Sequence, residues 1–369
     1  MHVVESLEVG GMENGIVNIV NHIDNIRFDP FICCLSNAGE LSNRITNKNV
    51  SIITLNWKGG FQPKLFFDLM ELFRKEKIDI VHSHGWLTFL YSSIASKMAR
   101  VPVLINGEHG NFHFEKPIRI FTYKTLAILV DKFLAVSLSL KEELHGLTNI
   151  ALSRIKVIPN GVDLDKFSPG RPGELKMLKK EVGLPEDSII IGAVGTLKPS
   201  KNQDVLLRVM AVLKDQFKDV YCVLVGDGPC RAKLGAQART LGIKDRVFFT
   251  GYVDDVPIYL KIMDIIVLNS SSEGMSNAIL EAMSCETAVV ATDIGGNKEL
   301  VEEGSNGYII QPTDDAQVEA IKGLLLDHTK MNAFGEKSRK IVESKFSLHG
   351  MVNNYEIAYS ECMQKKRGV

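Results

Sequence analysis

Glu273 and Glu281 stand eight positions apart in "SSSEGMSNAILEAMS" (270–284), the first in a Ser/Gly-rich stretch and the second among Ala, Ile, Leu and Met. Ser276 and Asn277 between them are good N-cap residues, so the run reads as a loop followed by a helix, with Glu281 at about its first turn. Gly274 lets the loop backbone turn close to a ligand. Were all of 273–281 helical, the carboxylates would lie roughly 12 Å apart and point in different directions. A helix start presents N–H groups and partial positive charge, which suits a phosphate. Carboxylates beside a phosphate repel it unless the ligand also brings hydroxyl donors. A nucleotide-sugar brings a diphosphate for the amides of 274–277, a ribose for one glutamate and a hexose for the other. On this stretch alone, a capping acid and a solvent-facing acid is the alternative.

Further along the same line, Gly10 and Gly11 in "VGGMENGIVNI" (9–19) follow a strand-like segment. Lacking a Cβ, they admit backbone N–H groups near a phosphate, or simply make a tight turn. No complete G-x-G-x-x-G exists. "GDGPCR" puts Arg231 where the third glycine belongs, which argues against a nicotinamide cofactor. His82, His84, His109 and His113 raise the question of a metal. The i, i+4 pair His109/His113 spans Gly110 and Asn111, poor helix material, so no zinc is expected. Asp163-Leu164-Asp165 imitates an Asp-x-Asp metal motif but sits in "NGVDLDKF", where aspartates make turns, so no divalent ion is expected either. Glu108 either orients the imidazole of His109 or faces solvent.

The elements that must position these groups alternate strand and helix throughout. Strand-like runs are "HVVESL" (2–7), "FICCLS" (31–36), "VSIITL" (50–55), "DIVHSH" (79–84), "VPVLING" (101–107), "KFLAVS" (132–137) and "IKVIPN" (155–160). Helical spacing fills gaps such as 12–22, 64–77 and 86–99. The rhythm breaks at "NGVDLDKFSPGRPGE" (160–174), then restarts with "SIIIGAVG" (188–195), "YCVLVG" (221–226), "RVFFTG" (246–251), "DIIVLNS" (264–270), "TAVVAT" (287–292) and "GYIIQP" (307–312). Short apolar strands between helices make parallel sheets covered on both faces. The expected fold is α/β with two tandem Rossmann-like, doubly wound domains facing a central cleft, into which ligands bind at the carboxyl ends of the strands. The expected boundaries are 1–160, a linker 161–175, 176–345, and a C-terminal helix within 346–369 that packs back toward the N-terminal domain.

With 369 residues, 45% of them apolar, the chain has enough material for two cores. Lys+Arg (43) balance Asp+Glu (44), and residues 1–165 hold 17 of each, which argues against nucleic acid as the partner. None of the six cysteines forms C-x-x-C, and Cys33–Cys34 in "FICCLS" read as buried small side chains in a reducing compartment. "MHVVESLEVGG" lacks the pattern of a signal peptide, and no run of 18 apolar residues occurs. A soluble, cytoplasmic protein is expected. "RIFTYKTLAILVDKF" (119–133), basic and apolar at helical spacing, is either a crossover helix or a membrane-surface contact.

"EGMSNAILEAM" followed by "VVATDIGGNKELVEEGSNGYIIQP" resembles the signature of retaining glycosyltransferases of family 4, of GT-B fold, with Glu273, Glu281, Thr292, Asp293, Gly295, Gly296, Glu299 and Gly307 in step. The family's usual Gly-x-Pro is Glu286-Thr287-Ala288 here. "VGTLKPSKNQDVLL", "VGDGP" (225–229), "FTGYVDD" (249–255), "IPNGVDLDKFSP" (158–169) and the loop at 9–19 extend the resemblance over most of the chain.

The resemblance implies transfer of a sugar from a nucleotide-diphosphate donor, UDP-linked by family tendency, with anomeric configuration kept. It implies a saccharide or lipid-linked acceptor, polysaccharide or glycolipid assembly, no cofactor and no metal; the expected place is the cytoplasm, either free or at the inner face of the membrane. Lys201 matches the lysine that holds the donor phosphates, and Glu273 and His109 match groups near the transferred sugar. Gly10, Gly11, Thr196, Gly226, Gly274, Met275, Ser276, Asn277 and Glu281 fall on donor-binding positions, and Tyr252 and Val253 where the base is met. Thr196 stands where the family usually has arginine. It can hydrogen-bond a phosphate but cannot cancel its charge, and Lys198 is the nearby cation. A sugar-nucleotide 2-epimerase of the same architecture, or a weakly active binding subunit, is the alternative.

Overall fold

A computed structural model describes residues 1–110 and 117–368. His113 lies outside them. The chain forms two compact units, one made of Met1–Gly161 with the segment from Leu348 onward, the other of Val162–Ser347.

In the first unit seven parallel strands are β1 (His2–Val4), β2 (Phe31–Cys34), β3 (Ser51–Thr54), β4 (Ile80–His84), β5 (Val103–Glu108), β6 (Lys132–Ala135) and β7 (Ile155–Val157). Their order is β3-β2-β1-β4-β5-β6-β7. The chain winds outward from β1 to β3, then returns to place β4 on the other side of β1. That reversal opens a crevice at the carboxyl ends of β1 and β4. Helices α1 (Gly11–His22), α2 (Lys64–Lys75), α3 (Trp86–Ala99), α4 (Pro117–Leu126) and α5 (Leu138–Thr148) connect the strands.

The second unit repeats the plan. Its strands are β8 (Ile189–Val194), β9 (Val220–Val225), β10 (Val247–Gly251), β11 (Ile265–Leu268), β12 (Ala288–Thr292) and β13 (Gly307–Ile310), in the order β10-β9-β8-β11-β12-β13. Here the reversal lies between β8 and β11. The helices are α6 (Pro172–Glu181), α7 (Gln203–Leu213), α8 (Arg231–Thr240), α9 (Val256–Lys261), α10 (Asn277–Ser284), α11 (Asn297–Leu300), α12 (Asp314–Leu326) and α13 (His328–Lys345). Its core joins Ile191, Cys222, Val267 and Val290 of the strands to Leu206, Met210, Ile321 and Phe334 of the helices.

The last helix, α14 (Leu348–Arg367), belongs to the first unit. Leu348, Met351, Val352, Tyr355, Ala358, Tyr359 and Cys362 recur at helical spacing and are buried against Ile19, Ile23, Val103, Ile105 and Leu134. Glu356 accepts the Asp24 N–H at 2.9 Å and pairs with Arg27 at 3.3 Å, pinning α14 to the end of α1. The segment 161–175 is more than a connector. Asp163 Oδ1 accepts the N–H groups of Asp165 and Lys166, both at 3.0 Å, so the Asp-x-Asp makes a turn. Pro172 opens α6, where its missing N–H costs nothing. Cys33 and Cys34 are fully buried in β2.

Candidate functional site

The loop after β11 leads into α10 as the capping residues require. Ser276 is the N-cap, and its Oγ accepts the Ile279 N–H at 3.3 Å. Because the helix opens at Asn277, Glu281 falls in its second turn rather than its first. Glu281 keeps some accessible surface, yet desolvation pushes its carboxyl up to about 7, with Lys166 pulling the other way. Glu273 precedes the helix. It forms an ion pair with Lys201, which ends the short 3-10 turn after β8. Both side chains are mostly covered, at 21% exposure for Lys201 and 13% for Glu273.

What holds Glu273 there is the run "TDIGGN" (292–297), which begins with the last residue of β12. Thr292 Oγ1 donates to the Ser270 carbonyl at 2.9 Å, and the Gly296 N–H donates to the Gly274 carbonyl at 2.8 Å. Gly295 has φ +54°, and a Cβ there would collide with the Glu273 carbonyl. Gly295 is therefore a glycine for two reasons, conformation and close approach. Asn297 Nδ2 ties back to the Thr292 carbonyl at 2.9 Å. The departure at Glu286 lies in the turn after α10, where Glu286 takes φ +62°.

The loops after β8, β9 and β10 are joined to one another. Ser271 N–H donates to the Ser200 carbonyl at 2.9 Å and Asn202 Nδ2 to the Asn269 carbonyl at 3.0 Å, across the β8/β11 crevice. Thr196 is exposed, and its carbonyl accepts Gln203 Nε2 at 3.2 Å. The Gly226 N–H donates to the Gly251 carbonyl at 3.1 Å, and Tyr252, 51% exposed, follows with Val253. Met275 is buried. Lys201, Thr196, Gly226, Tyr252, Val253, residues 274–277 and Glu281 thus follow the carboxyl ends of one sheet's strands, with Lys201 and Glu273 in contact. Arg231, seen in the sequence only as a break in a glycine pattern, stacks 4.4 Å over the Phe249 ring with a buried, unpartnered Nη1.

Gly10, Gly11 and His109 belong to the first unit. Gly10 N-caps α1, and its carbonyl accepts Asn14 Nδ2 at 3.0 Å. Glu13 lies against Gly10, its carboxyl pushed up by burial. His109 follows β5, and its Nε2 is 2.9 Å from His84 Nδ1. Glu108 neither orients that imidazole nor faces solvent. It is fully buried on the other face of β5, where Oε1 accepts bonds from Tyr123 Oη and, at 2.5 Å, from Asn106 Nδ2. Desolvation pushes its carboxyl up to about 7. The expected strand stopped at 107, so Glu108 read as loop. As the last residue of β5 it alternates with Gly107, away from His109. A cavity of about 420 Å³ in this unit, lined by His2, Phe31, Ile80 and Tyr359, opens at the amino ends of the strands, away from where parallel sheets gather ligands.

Two family models match in tandem: "Glycosyltransferase Family 4" over residues 9–166 and "Glycosyl transferases group 1" over 176–341. The chain is 32% identical over 332 residues to the UDP-Gal:alpha-D-GlcNAc-diphosphoundecaprenol alpha-1,3-galactosyltransferase of Escherichia coli, covering 86% of this chain and 83% of that one. Among solved structures, a glycosyltransferase from Rickettsia africae ESF-5 is similar at TM-score 0.86 and 22% identity, covering 98% of each chain. Anabaena Alr3699/HepE in complex with UDP is similar at TM-score 0.85 and 22% identity, covering 98% of this chain and 99% of that one. These likenesses show the GT-B arrangement of two Rossmann-like domains.

Proposed function

The chain belongs to the family 4 glycosyltransferases, and from that premise we propose that it moves a sugar from a UDP-linked donor, with retention and without a metal, to a saccharide or lipid-linked acceptor in polysaccharide or glycolipid assembly. The observation that carries the reading is the Lys201–Glu273 pair at the β8/β11 crevice, in front of the capped end of α10. The diphosphate lies against the loop 274–277 and Lys201, while Glu281 takes the ribose hydroxyls. A diphosphate drawn to Lys201 leaves Glu273 an unneutralised carboxylate, free to accept a hexose hydroxyl. As the C1–O bond breaks, charge gathers on a leaving group already faced by an ammonium and a helix N-terminus. That arrangement supplies what a divalent ion would otherwise supply. The departing phosphate oxygen takes the acceptor's proton. Gly10, Gly11 and His109 serve the first unit's share of substrate binding, with His109 on a sugar hydroxyl.

The lipid-linked acceptor draws support from the name of the E. coli relative. No helix among the described residues is long and apolar enough to cross a membrane. Contact with the inner face would be peripheral. Helix α4 buries Thr122 and Tyr123 while Ile118 and Phe121 stay exposed, with Ile128 83% exposed just beyond it. Sedimentation with anionic vesicles, lost on Ile118→Asp/Phe121→Asp, tests that contact.

The transfer itself is tested by incubating a panel of UDP-sugars with lipid-linked and free saccharide acceptors. Lys201→Ala and Glu273→Ala should each lower the transfer rate by about 10²–10³, the scale of losing one charge-stabilising group, with the circular dichroism spectrum unchanged. Full activity in either variant rejects the assignment. An epimer formed from donor alone would favour the 2-epimerase instead.

A further inference from the structure

The alternation along β4 puts His82 and His84, two residues apart, on one face of the first sheet. Strand β1 pairs beside β4 with His2 opposite His82, so a third imidazole joins them. Ring centroids are 4.1 Å apart for His82 and His84, and 5.1 Å for His2 with each of them. Water is excluded: exposure is 5% for His2, 1% for His82 and 3% for His84. Helix α14 closes over the same face, with the Tyr359 ring 5.8 Å from that of His82. Gly107, opposite His84 on β5, leaves room beside the rings. A Cβ there would stand 2.7 Å from His82 Nε2 and 3.3 Å from His84 Nδ1.

Hydrogen bonds do not account for the whole cluster. His2 Nδ1 lies 2.9 Å from His84 Nε2, and His82 Nδ1 lies 2.9 Å from the Tyr359 hydroxyl. His82 Nε2 is buried and has no hydrogen-bond partner among the described residues. Whether it carries a lone pair or a proton, it has lost water without a replacement. Three imidazoles held together in a dry place, with a ring nitrogen left over, lack a group that takes lone pairs.

We propose that His2, His82 and His84 bind one divalent transition-metal ion, zinc or a first-row neighbour of it. One ring nitrogen from each lies within 4.8 Å of the others, and His2 Nδ1 and His84 Nε2 are 2.9 Å apart. Nitrogens sharing a tetrahedral zinc, each at about 2.0–2.1 Å, stand roughly 3.3 Å apart, between those two values. An ion between His2 Nδ1 and His84 Nε2 leaves His84 Nδ1 facing His109 Nε2, 2.9 Å away, a second contact of the kind that orients a ligating ring. The Tyr359 hydroxyl does the same for His82. Three neutral nitrogen donors favour zinc, copper, nickel or cobalt over magnesium or calcium, which take oxygen. Three protein ligands leave a fourth position open. The cavity of about 420 Å³ that His2 and His82 help to line supplies a water for that position and a way in for the ion. The pair His109/His113, whose spacing counts against zinc, contributes no ligand. The ion joins β1 to β4 in the first unit, whereas Lys201 and Glu273 belong to the second. It is a structural ion, and the proposal does not rest on the transfer reading.

The test uses the untagged full chain, stripped with a chelator, equilibrated with zinc sulfate and desalted. Elemental analysis should find one zinc per chain, and no magnesium in a parallel sample equilibrated with magnesium. Cobalt(II) in place of zinc should give the intense visible bands of four-coordinate cobalt. Zinc at a hundredfold its Kd should raise the fluorescence-detected melting midpoint by about 5 °C. His82→Phe keeps a ring in place, removes both nitrogens and should retain no zinc after desalting. His328→Ala/His349→Ala removes two exposed imidazoles and should retain all of it. Should His82→Phe fail to fold, nitrogen NMR of the wild type decides, because zinc should shift the ring nitrogens of His2, His82 and His84 together. Substoichiometric zinc, the pale spectrum of six-coordinate cobalt, ring shifts confined to exposed histidines, or equal zinc in wild type and His82→Phe would overturn the proposal and leave a buried water as the partner of His82 Nε2. None of these readouts involves sugar transfer, so either reading can fail alone.

Discussion

Lys201 and Glu273 compensate each other before any ligand arrives, so each substitution exposes the other's charge as well as removing a contact. Glu281 offers a cleaner measurement, because its role shows in pH. Burial raises its carboxyl from the ordinary 4.5 to about 7, so the ligand-free protein carries it half-protonated near neutrality. Ribose hydroxyls donate, and only the ionised carboxylate accepts at both oxygens. Binding should therefore strengthen as pH rises through 7, with Kd falling about tenfold between pH 6 and 8. A UDP-sugar is the right probe, since its diphosphate is esterified at both ends and lacks the terminal phosphate group that titrates near 6. Titration calorimetry should show the slope in wild type and a flat profile in Glu281→Gln. A flat wild-type profile would remove Glu281 from the ribose. Such residues stood out in the sequence because charged groups beside a helix start in a glycine-rich loop are informative in themselves. The His84–His109 contact did not stand out. It joins groups 25 positions apart through strand register, which composition and spacing do not encode.

Each of the strands β1 to β13 coincides with a run the alternation picks out, β5 and β9 extending one residue beyond theirs at Glu108 and Val220, since parallel strands buried between helices are short and apolar. Turn conformation is less visible. The segment Glu286-Thr287-Ala288 shows as a departure from a familiar pattern, but only coordinates show that Glu286 adopts φ +62° after the end of α10. A side chain in that region costs roughly 1 kcal/mol that glycine does not pay. Glu286→Gly should therefore stabilise the second unit by up to about 1 kcal/mol, after the entropy glycine adds to the unfolded chain is subtracted. Denaturant unfolding followed by circular dichroism would read this, and a lower midpoint would mean that Glu286 makes a compensating contact. The clamp from Thr292 and Gly296 onto the loop 270–274 was legible only as a motif. Its physical content, holding the Glu273 backbone in place, depends on a contact between two loops that follow different strands.

Because Val162–Ser347 is inserted between two stretches of the first unit, the chain carries two cores whose responses can be separated. Trp57 and Trp86, the chain's two tryptophans, both lie in the first unit, so intrinsic fluorescence reports on that unit while calorimetry sees both. The first unit also holds Glu108, fully buried and pushed from 4.5 up to about 7, largely by desolvation against the bonds from Tyr123 and Asn106. A raised carboxyl favours the folded state while it stays protonated. That stability is complete below the unfolded value near 4.5 and is lost as pH rises through 7. For a shift of this size the loss is on the order of 3 kcal/mol. The fluorescence-detected transition should therefore weaken from pH 5 to 8, and Glu108→Gln, neutral throughout, should remove most of that slope. A UDP-sugar at a hundredfold its Kd adds about 2.7 kcal/mol to whatever it binds. For a unit of this size that is a rise of about 5–10 °C. If the donor rests on Lys201, Glu273 and Glu281, the rise belongs to the calorimetric transition that fluorescence does not see. A donor that instead raised only the fluorescence transition would place its binding groups in the first unit, and the Lys201–Glu273 pair would be structural.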